Sequence, residues 1–390
     1  MNRFFKALPL LLLTVALFCA CAADKEAKGK DFSEGSSQKS SAAESEENAS
    51  LEDVFQKYPV DSGYGEPEID LELTKRFDAE YAIGVRYLEG EDLYILTINS
   101  GDNIQSEGGM LIKLGEYDCS NGSARVIGTV RGYFDSANPF ILNKNSDGSV
   151  CVLARNKIFV VEKSGEVRLF SYDNEMYSNG DYSFDSGKLA CYADDGEGNI
   201  ILINPKEPKT PPVPIYSNKS AFSFLAISPN GEKTAFLNNG RLECYSEGEE
   251  KLFETEEIEL QSRYYWIRWL DNEKLLFVQN IEEQGCSEGF IFDGNGKTEK
   301  SFKLDYCLSG LQNNIGRSYP YMLAGCFLPI GKYGDGRGDN YGIVLINLDE
   351  GNAKLLRNTG NIISSYDISN DGKTVFWIED NSLFTIKNNN

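Results

Sequence analysis

The sequence predicts an all-β fold: about seven repeated four-stranded units closed into a ring. Three observations predict it. Apolar runs are short, alternate with period two or last four to six residues, and are separated by Gly, Asn, Asp and Ser. One hairpin-forming phrase recurs. The last unit has three strand-like runs, while an alternating segment stands unclaimed near residue 70.

The N-terminus reads as an address. Arg3 and Lys6 precede an apolar stretch, Ala7 to Phe18, broken only by Pro9 and Thr14. That is the length of a signal core and too short for a membrane span of ~20 residues. Phe18-Cys19-Ala20-Cys21-Ala22-Ala23 follows. The stretch resembles a bacterial lipoprotein signal, in which a small residue directly precedes the cysteine that receives diacylglycerol. Ala20 before Cys21 fits that pattern and Phe18 before Cys19 does not. The resemblance implies a signal peptide over residues 1–20, lipidation at Cys21 and anchorage to membrane lipid. It places the protein in the cell envelope, on the outer face of the cytoplasmic membrane, or at the cell surface in a Gram-positive source. The alternative is an ordinary secretory signal cleaved near Ala22 or Ala23.

Residues 21–50 follow as a tether. Residues 22–50 hold seven Ser with mixed Glu and Lys, and Phe32 is their only aromatic or aliphatic side chain larger than Ala. Such a segment cannot offset chain entropy by burial. At ~5–6 Å × √n its reach is roughly 30 Å. The acidic body would be repelled by anionic headgroups, so the tether holds it off the bilayer. Residues 51–65 are a lead-in, and 66–390 form the body.

In the body, Leu93–Ile98, Ile158–Val161, Ile200–Ile203, Leu275–Val278, Gly342–Ile346 and Thr374–Ile378 read as strands. The recurring phrase is clearest at Ala226-Ile-Ser-Pro-Asn-Gly-Glu-Lys-Thr-Ala-Phe236 and Asp367-Ile-Ser-Asn-Asp-Gly-Lys-Thr-Val-Phe-Trp377. Weaker copies are Asn143–Val150, Tyr182–Leu189 and Ile267–Leu276. Asn-Gly and Asp-Gly supply the left-handed positions of a tight turn. A further unit fits near Ser318–Leu348 and another from Glu89. One four-stranded unit cannot bury both faces, so the units must stack, and radial closure removes exposed edges.

The phrase resembles the Ser-Pro-Asp-Gly-Lys repeat of TolB-like, WD40-like β-propellers. The resemblance implies a β-propeller, and the spacing of the repeated turn gives it about seven blades, each of four antiparallel strands. Ile363–Ile368, Thr374–Ile378 and Ser382–Lys387 supply three strands of the last blade. The segment Glu68-Ile-Asp-Leu-Glu-Leu-Thr-Lys-Arg-Phe77 is expected to add the fourth and close the ring. TolB-like proteins carry a separate N-terminal α/β domain, which residues 51–66 are too short to hold. The likeness therefore covers the propeller alone and transfers no partner.

Composition narrows the function. Asp and Glu number 60 against 38 Lys and Arg, a net charge of −22, which disfavours nucleic acid as a partner. The chain has no histidine, which excludes Ser-His-Asp and Cys-His catalysis and imidazole metal sites. Carboxylate- or Lys-based catalysis remains open. Seven cysteines lie in the body with no Cys-x-x-Cys spacing, so buried free thiols acting as small hydrophobes are expected.

Four segments stand out as candidate sites. Tyr264-Tyr-Trp-Ile-Arg-Trp269 alternates, so Trp266 and Arg268 share one strand face; core packing, with Arg268 as a satisfied structural residue, is the leading reading, and contact with a sugar or a protein is the alternative that makes them candidate binding residues. The Gly-rich run 331–342 holds Arg337-Gly338-Asp339, which looks like the integrin-binding tripeptide of adhesive proteins. Plain loops are the leading reading of this run and of a second acidic turn, with Asp335 and Asp339 in the first and Asp194 and Asp195 in the second as candidate Ca²⁺ ligands in the alternative. Asn204–Pro214 holds five of the twelve prolines and reads as an extended connector. No cofactor motif is present. The leading functional reading is a non-catalytic protein-binding or envelope-associated module. The alternatives are a propeller hydrolase or lyase acting on extracellular polysaccharide, and a solute-binding or sensor lipoprotein.

Overall fold

Seven four-stranded antiparallel sheets make up the body. The computed structural model describes residues 60, 67–70, 73–87, 92–99, 110–132, 140–144, 150–154, 157–162, 164, 166–170, 177–183, 185–193, 199–205, 207, 210–217, 224–262, 264–311, 318–328 and 340–387. The chain divides into two units, Met1–Glu47 and Asn48–Asn390, and every described residue belongs to the second.

Blades 1 to 6 are each contiguous in sequence: Tyr81–Gly132, Phe140–Phe170, Tyr177–Ser217, Leu225–Glu254, Tyr265–Leu304 and Cys307–Thr359. Blade 7 combines Ile363–Ile368, Thr374–Glu379 and Ser382–Lys387 with the N-terminal strand Glu68–Asp70. First strands pack on first strands of neighbouring blades: Tyr81–Tyr87 on Ile363–Ile368 and Phe140–Lys144, and Leu225–Ile227 on Tyr177–Tyr182 and Tyr265–Trp269. These innermost strands therefore surround the axis of a seven-bladed β-propeller.

Period-two alternation explains how the blades hold together. Within one strand, Leu93 and Ile95 join the apolar cluster between blades 7 and 1, while Tyr94, Leu96 and Ile98 join the cluster between blades 1 and 2. The same division repeats around the ring, giving one apolar cluster at each of the seven blade interfaces. A sheet covered on both faces needs apolar residues at successive positions, and Leu275, Leu276, Phe277 and Val278 are all fully buried. The cysteines follow this logic. Among the described residues no disulfide joins the seven body cysteines, and five of them are buried; Cys151 and Cys191 fill the interface of blades 2 and 3, and Cys244 that of blades 4 and 5. Burial pushes the Cys244 thiol up to about 12, so it is protonated at neutral pH.

The recurring phrase is the turn from the first to the second strand of a blade. In blade 4, Ser228 N–H donates to Lys233 O (2.8 Å), Gly231 N–H to Ser228 O (2.8 Å) and Lys233 N–H to Ser228 Oγ (3.0 Å). In blade 7, Ser369 N–H donates to Thr374 O (2.8 Å), Gly372 N–H to Ser369 O (2.9 Å) and Thr374 N–H to Ser369 Oγ (2.9 Å). Gly231 and Gly372 take φ of 74° and 71°, the left-handed region the phrase requires. The copy at Asn143–Val150 has its turn, 145–149, outside the described residues.

Ring closure occurs as expected, over a shorter stretch. Glu68, Ile69 and Asp70 pair with Thr385, Phe384 and Leu383. The strand does not run on to Phe77: Leu73–Arg76 is a helical turn. Leu73 and Phe77, four residues apart, share a helical face and are buried between blades 7 and 1, whereas Ile69 is exposed. Tyr117 Oη–H donates to Asp70 (2.5 Å), and Arg76 Nε lies 3.0 Å from the same carboxylate. The proline-rich segment also departs from expectation. Val213–Ser217 is the outermost strand of blade 3, with Pro214 opposite Ile201 beside a bulge, a place where a missing N–H costs no ladder bond.

Candidate functional site

The innermost strands carry a ring of charge at one level of the propeller. Pairing to the second strand fixes that level: Arg86 opposes Tyr94, Asp181 opposes Ala190, Arg268 opposes Leu276 and Asp367 opposes Phe376. Blades 1, 3, 5 and 7 thus contribute plus, minus, plus and minus. All four are buried, at 5–8% exposure. Two cations and two anions cancel, which allows so polar a group to sit inside.

Each charge is also tied to backbone. Asp181 Oδ2 accepts the Ile227 N–H of the next blade at 3.0 Å, and Asp367 Oδ2 accepts Tyr87 N–H, again of the next blade, at 2.8 Å. Arg86 Nη1 donates to Val85 O (3.2 Å) and to Tyr366 O of blade 7 (3.4 Å), and Arg268 Nη1 donates to Ile267 O (2.8 Å). Val85 N–H donates to Ser365 Oγ (3.1 Å), a further bond across the closing seam.

The groups sense one another across the axis. Burial raises the Asp181 carboxyl above its ordinary value despite the opposing pull of Arg268, of the Ile227 and Tyr182 N–H groups and of Arg86. Burial lowers Arg268, and Asp181 and Tyr366 act the other way. Tyr366 is pushed up to about 12, chiefly by burial. Its hydroxyl lies against Gly310 and Gly325 of blade 6, where a Cβ on either glycine would crowd it. Chemically the cluster is compensated: its carboxylates hold neighbouring blades together. Among the described residues, no group of three or more His, Cys, Asp or Glu is placed to hold a metal ion.

Of the residues singled out by sequence, Arg268 belongs to this ring. Trp266 does not reach a surface: it is 6% exposed and packs in the cluster between blades 5 and 6. Both faces of Tyr265–Trp269 are covered, because the strand lies innermost between two blades. Cys21, Asp194, Asp195, Asp335, Arg337 and Asp339 lie outside the described residues. Sequence reasoning missed Arg86, Asp181, Tyr366 and Asp367 as a group. The signal was the spacing Asp-x-Ser at Asp181-Tyr-Ser183 and Asp367-Ile-Ser369, with the aspartate two residues ahead of the turn serine.

No protein-family model matches the chain, and no curated protein matches it. Solved structures do. A chain of the Mitotic Checkpoint Complex aligns at TM-score 0.52 and 10% identity, covering 91% of this chain and 100% of that one. An oligogalacturonate lyase in complex with manganese aligns at TM-score 0.54 and 12% identity, covering 77% and 86%. The C-terminal WD40 domain of Sif2 aligns at TM-score 0.48 and 13% identity, covering 79% and 96%. At these identities the likeness is one of fold.

Proposed function

We propose that this chain is an exported, lipid-anchored propeller that serves as a non-catalytic protein-binding module of the cell envelope. The observation that carries the reading is the axial ring. Its carboxylates, Asp181 and Asp367, accept backbone N–H groups of neighbouring blades, and Asp181 interacts with Arg268 and Arg86, so they serve the scaffold and are not poised as an acid and a base. Contacts with a partner then fall to the outer faces and loops. The N-terminal sequence supports the anchor, and the propeller architecture supports a rigid binding platform.

Two experiments test this. Labelling cells with radioactive palmitate should mark the wild-type chain and leave Cys21→Ser unlabelled; label on both would remove the lipid anchor at Cys21. The full chain carrying Cys21→Ser, used as bait on envelope extracts, should retain a protein whose binding is reproduced with the purified pair.

A second reading, a lyase or hydrolase of extracellular polysaccharide, is favoured by the likeness to oligogalacturonate lyase. Turnover of galacturonate oligomers by the purified chain, abolished by Asp181→Asn in a protein that still folds, would establish it in place of the first.

A further inference from the structure

A groove of about 850 Å³ runs between blades 4 and 5, away from the axis. Half-buried Phe290 and Ile258 line it beside Phe292, which is 3% exposed and belongs to the core between blades 4 and 5; the rings of Phe290 and Phe292 stack at 6.3 Å. Its rim is acidic, with Glu254, Glu256, Glu257, Glu259 and Glu288 against Lys297 alone among basic side chains. Glu254 pairs with Arg241 and Lys251, and Glu288 accepts Gln279 Nε2–H at 2.7 Å. Glu256, Glu257 and Glu259 are exposed and form no salt bridge among the described residues.

The rim is held in place before anything binds. Residues 255–262 form no strand, yet their backbone is pinned along its length. Thr255 N–H donates to Leu242 O (3.0 Å) and Ile258 N–H to Gly240 O (2.7 Å). Gln279 Nε2–H donates to Glu259 O (3.0 Å), and Gln261 N–H donates to Gln279 Oε1 (3.0 Å). Ordering this segment therefore costs little on binding.

We infer that this groove docks an extended peptide segment of a partner protein in which Lys or Arg alternates with aromatic or aliphatic residues. This deepens, and rests on, the protein-binding reading above. The carboxylates meet the cations and the exposed parts of Phe290 and Ile258 take the apolar side chains. An acidic peptide or a phosphate-bearing ligand is repelled by the same rim.

The test uses the full chain carrying Cys21→Ser and a fluorescein-labelled peptide composed of Lys, Phe, Gly and Ser. Anisotropy should show binding that weakens with added salt. The variant E256Q/E257Q/E259Q should weaken it about tenfold. The variant E166Q/E207Q/E350Q, with the same loss of charge on other blades, should leave it within about twofold. Equal weakening by both triple variants, or no binding by the parent, overturns the groove as the site. Retention of a protein from envelope extracts is measured separately, so the groove can fail while the binding reading stands. Tighter peptide binding on K25Q/K28Q/K30Q would reassign the occupant to this chain's own N-terminal lysines and overturn the partner.

Discussion

Glu379 is buried to 1% of its side chain between blades 6 and 7 and depends on its donors. Arg357 grips it through Nε (3.0 Å) and Nη2 (2.9 Å), and Thr359, Asn361 and Trp377 add three more bonds. Burial alone would raise its pKa; the Arg357, Thr359, Asn361 and Trp377 bonds outweigh burial and lower it from 4.5. A depressed carboxylate stabilises the fold above its unfolded pKa and loses that contribution as pH falls through the folded value. Glu379→Gln should cost about 3 kcal/mol in urea unfolding at pH 7, and the gap to wild type should narrow as pH falls below 4.5. A gap independent of pH would show that the charge is not what matters. The turn glycines give a second prediction at this scale. A Cβ on Gly231 would be strained at φ 74° and would overlap Ser186. Gly231→Ala should cost about 1–2 kcal/mol, against near neutrality for Gly248→Ala, whose nearest neighbour is 3.8 Å away.

Among the elements, the N-terminal segment matters most. Its three strand residues contribute little area, but Leu73 and Phe77 fill the seam between the first and last blades. Phe77 lies where a side chain on Gly115 would sit, so the two positions are matched in shape. Leu73→Ala and Phe77→Ala should each cost about 3–4 kcal/mol, and deletion of 66–78 should sharply lower the melting temperature. An unchanged value would mean that blade 7 holds without its fourth strand. The strands of blade 7 were legible in sequence because alternation and the Asp-Gly turn agree there. The helical turn at Leu73–Arg76 was not, because Ile69, Leu71, Leu73 and Phe77 satisfy a period of two as well as Leu73 and Phe77 satisfy a spacing of four. Burial against blade 1 decides between them.

Across the whole molecule, charge balance around the axis is the testable feature. Arg268→Met removes one cation and leaves Asp181, already raised by burial, with less compensation. It should cost about 3 kcal/mol at neutral pH. Because the folded pKa of Asp181 is then raised further, the loss should shrink as pH falls and the carboxyl protonates. The double variant D181N/R268M should be more stable than R268M, since it removes the stranded charge; if it is less stable, the two residues do not act as a pair. Arg268 is visible from its strand, and the reading of it as a satisfied structural residue agrees with its burial and its bond to Ile267 O. The companions on blades 1, 3 and 7 lie far away in sequence, so no local pattern could join them to it.

The sequence by itself determined the repeating hairpin and the two-faced apolar strands of about seven units; the tertiary structure fixed the count at seven blades and the pairing of the last with the first segment. The hairpin and the strand faces are local: turn stereochemistry and period-two burial act within a few residues, and one blade's pattern implies the next. Only the tertiary structure decided that Trp266 is core, that four charges meet at the axis, and that a pinned segment frames an acidic groove over aromatic rings. These depend on which side chains closure of the ring brings together, and that is fixed by packing between blades.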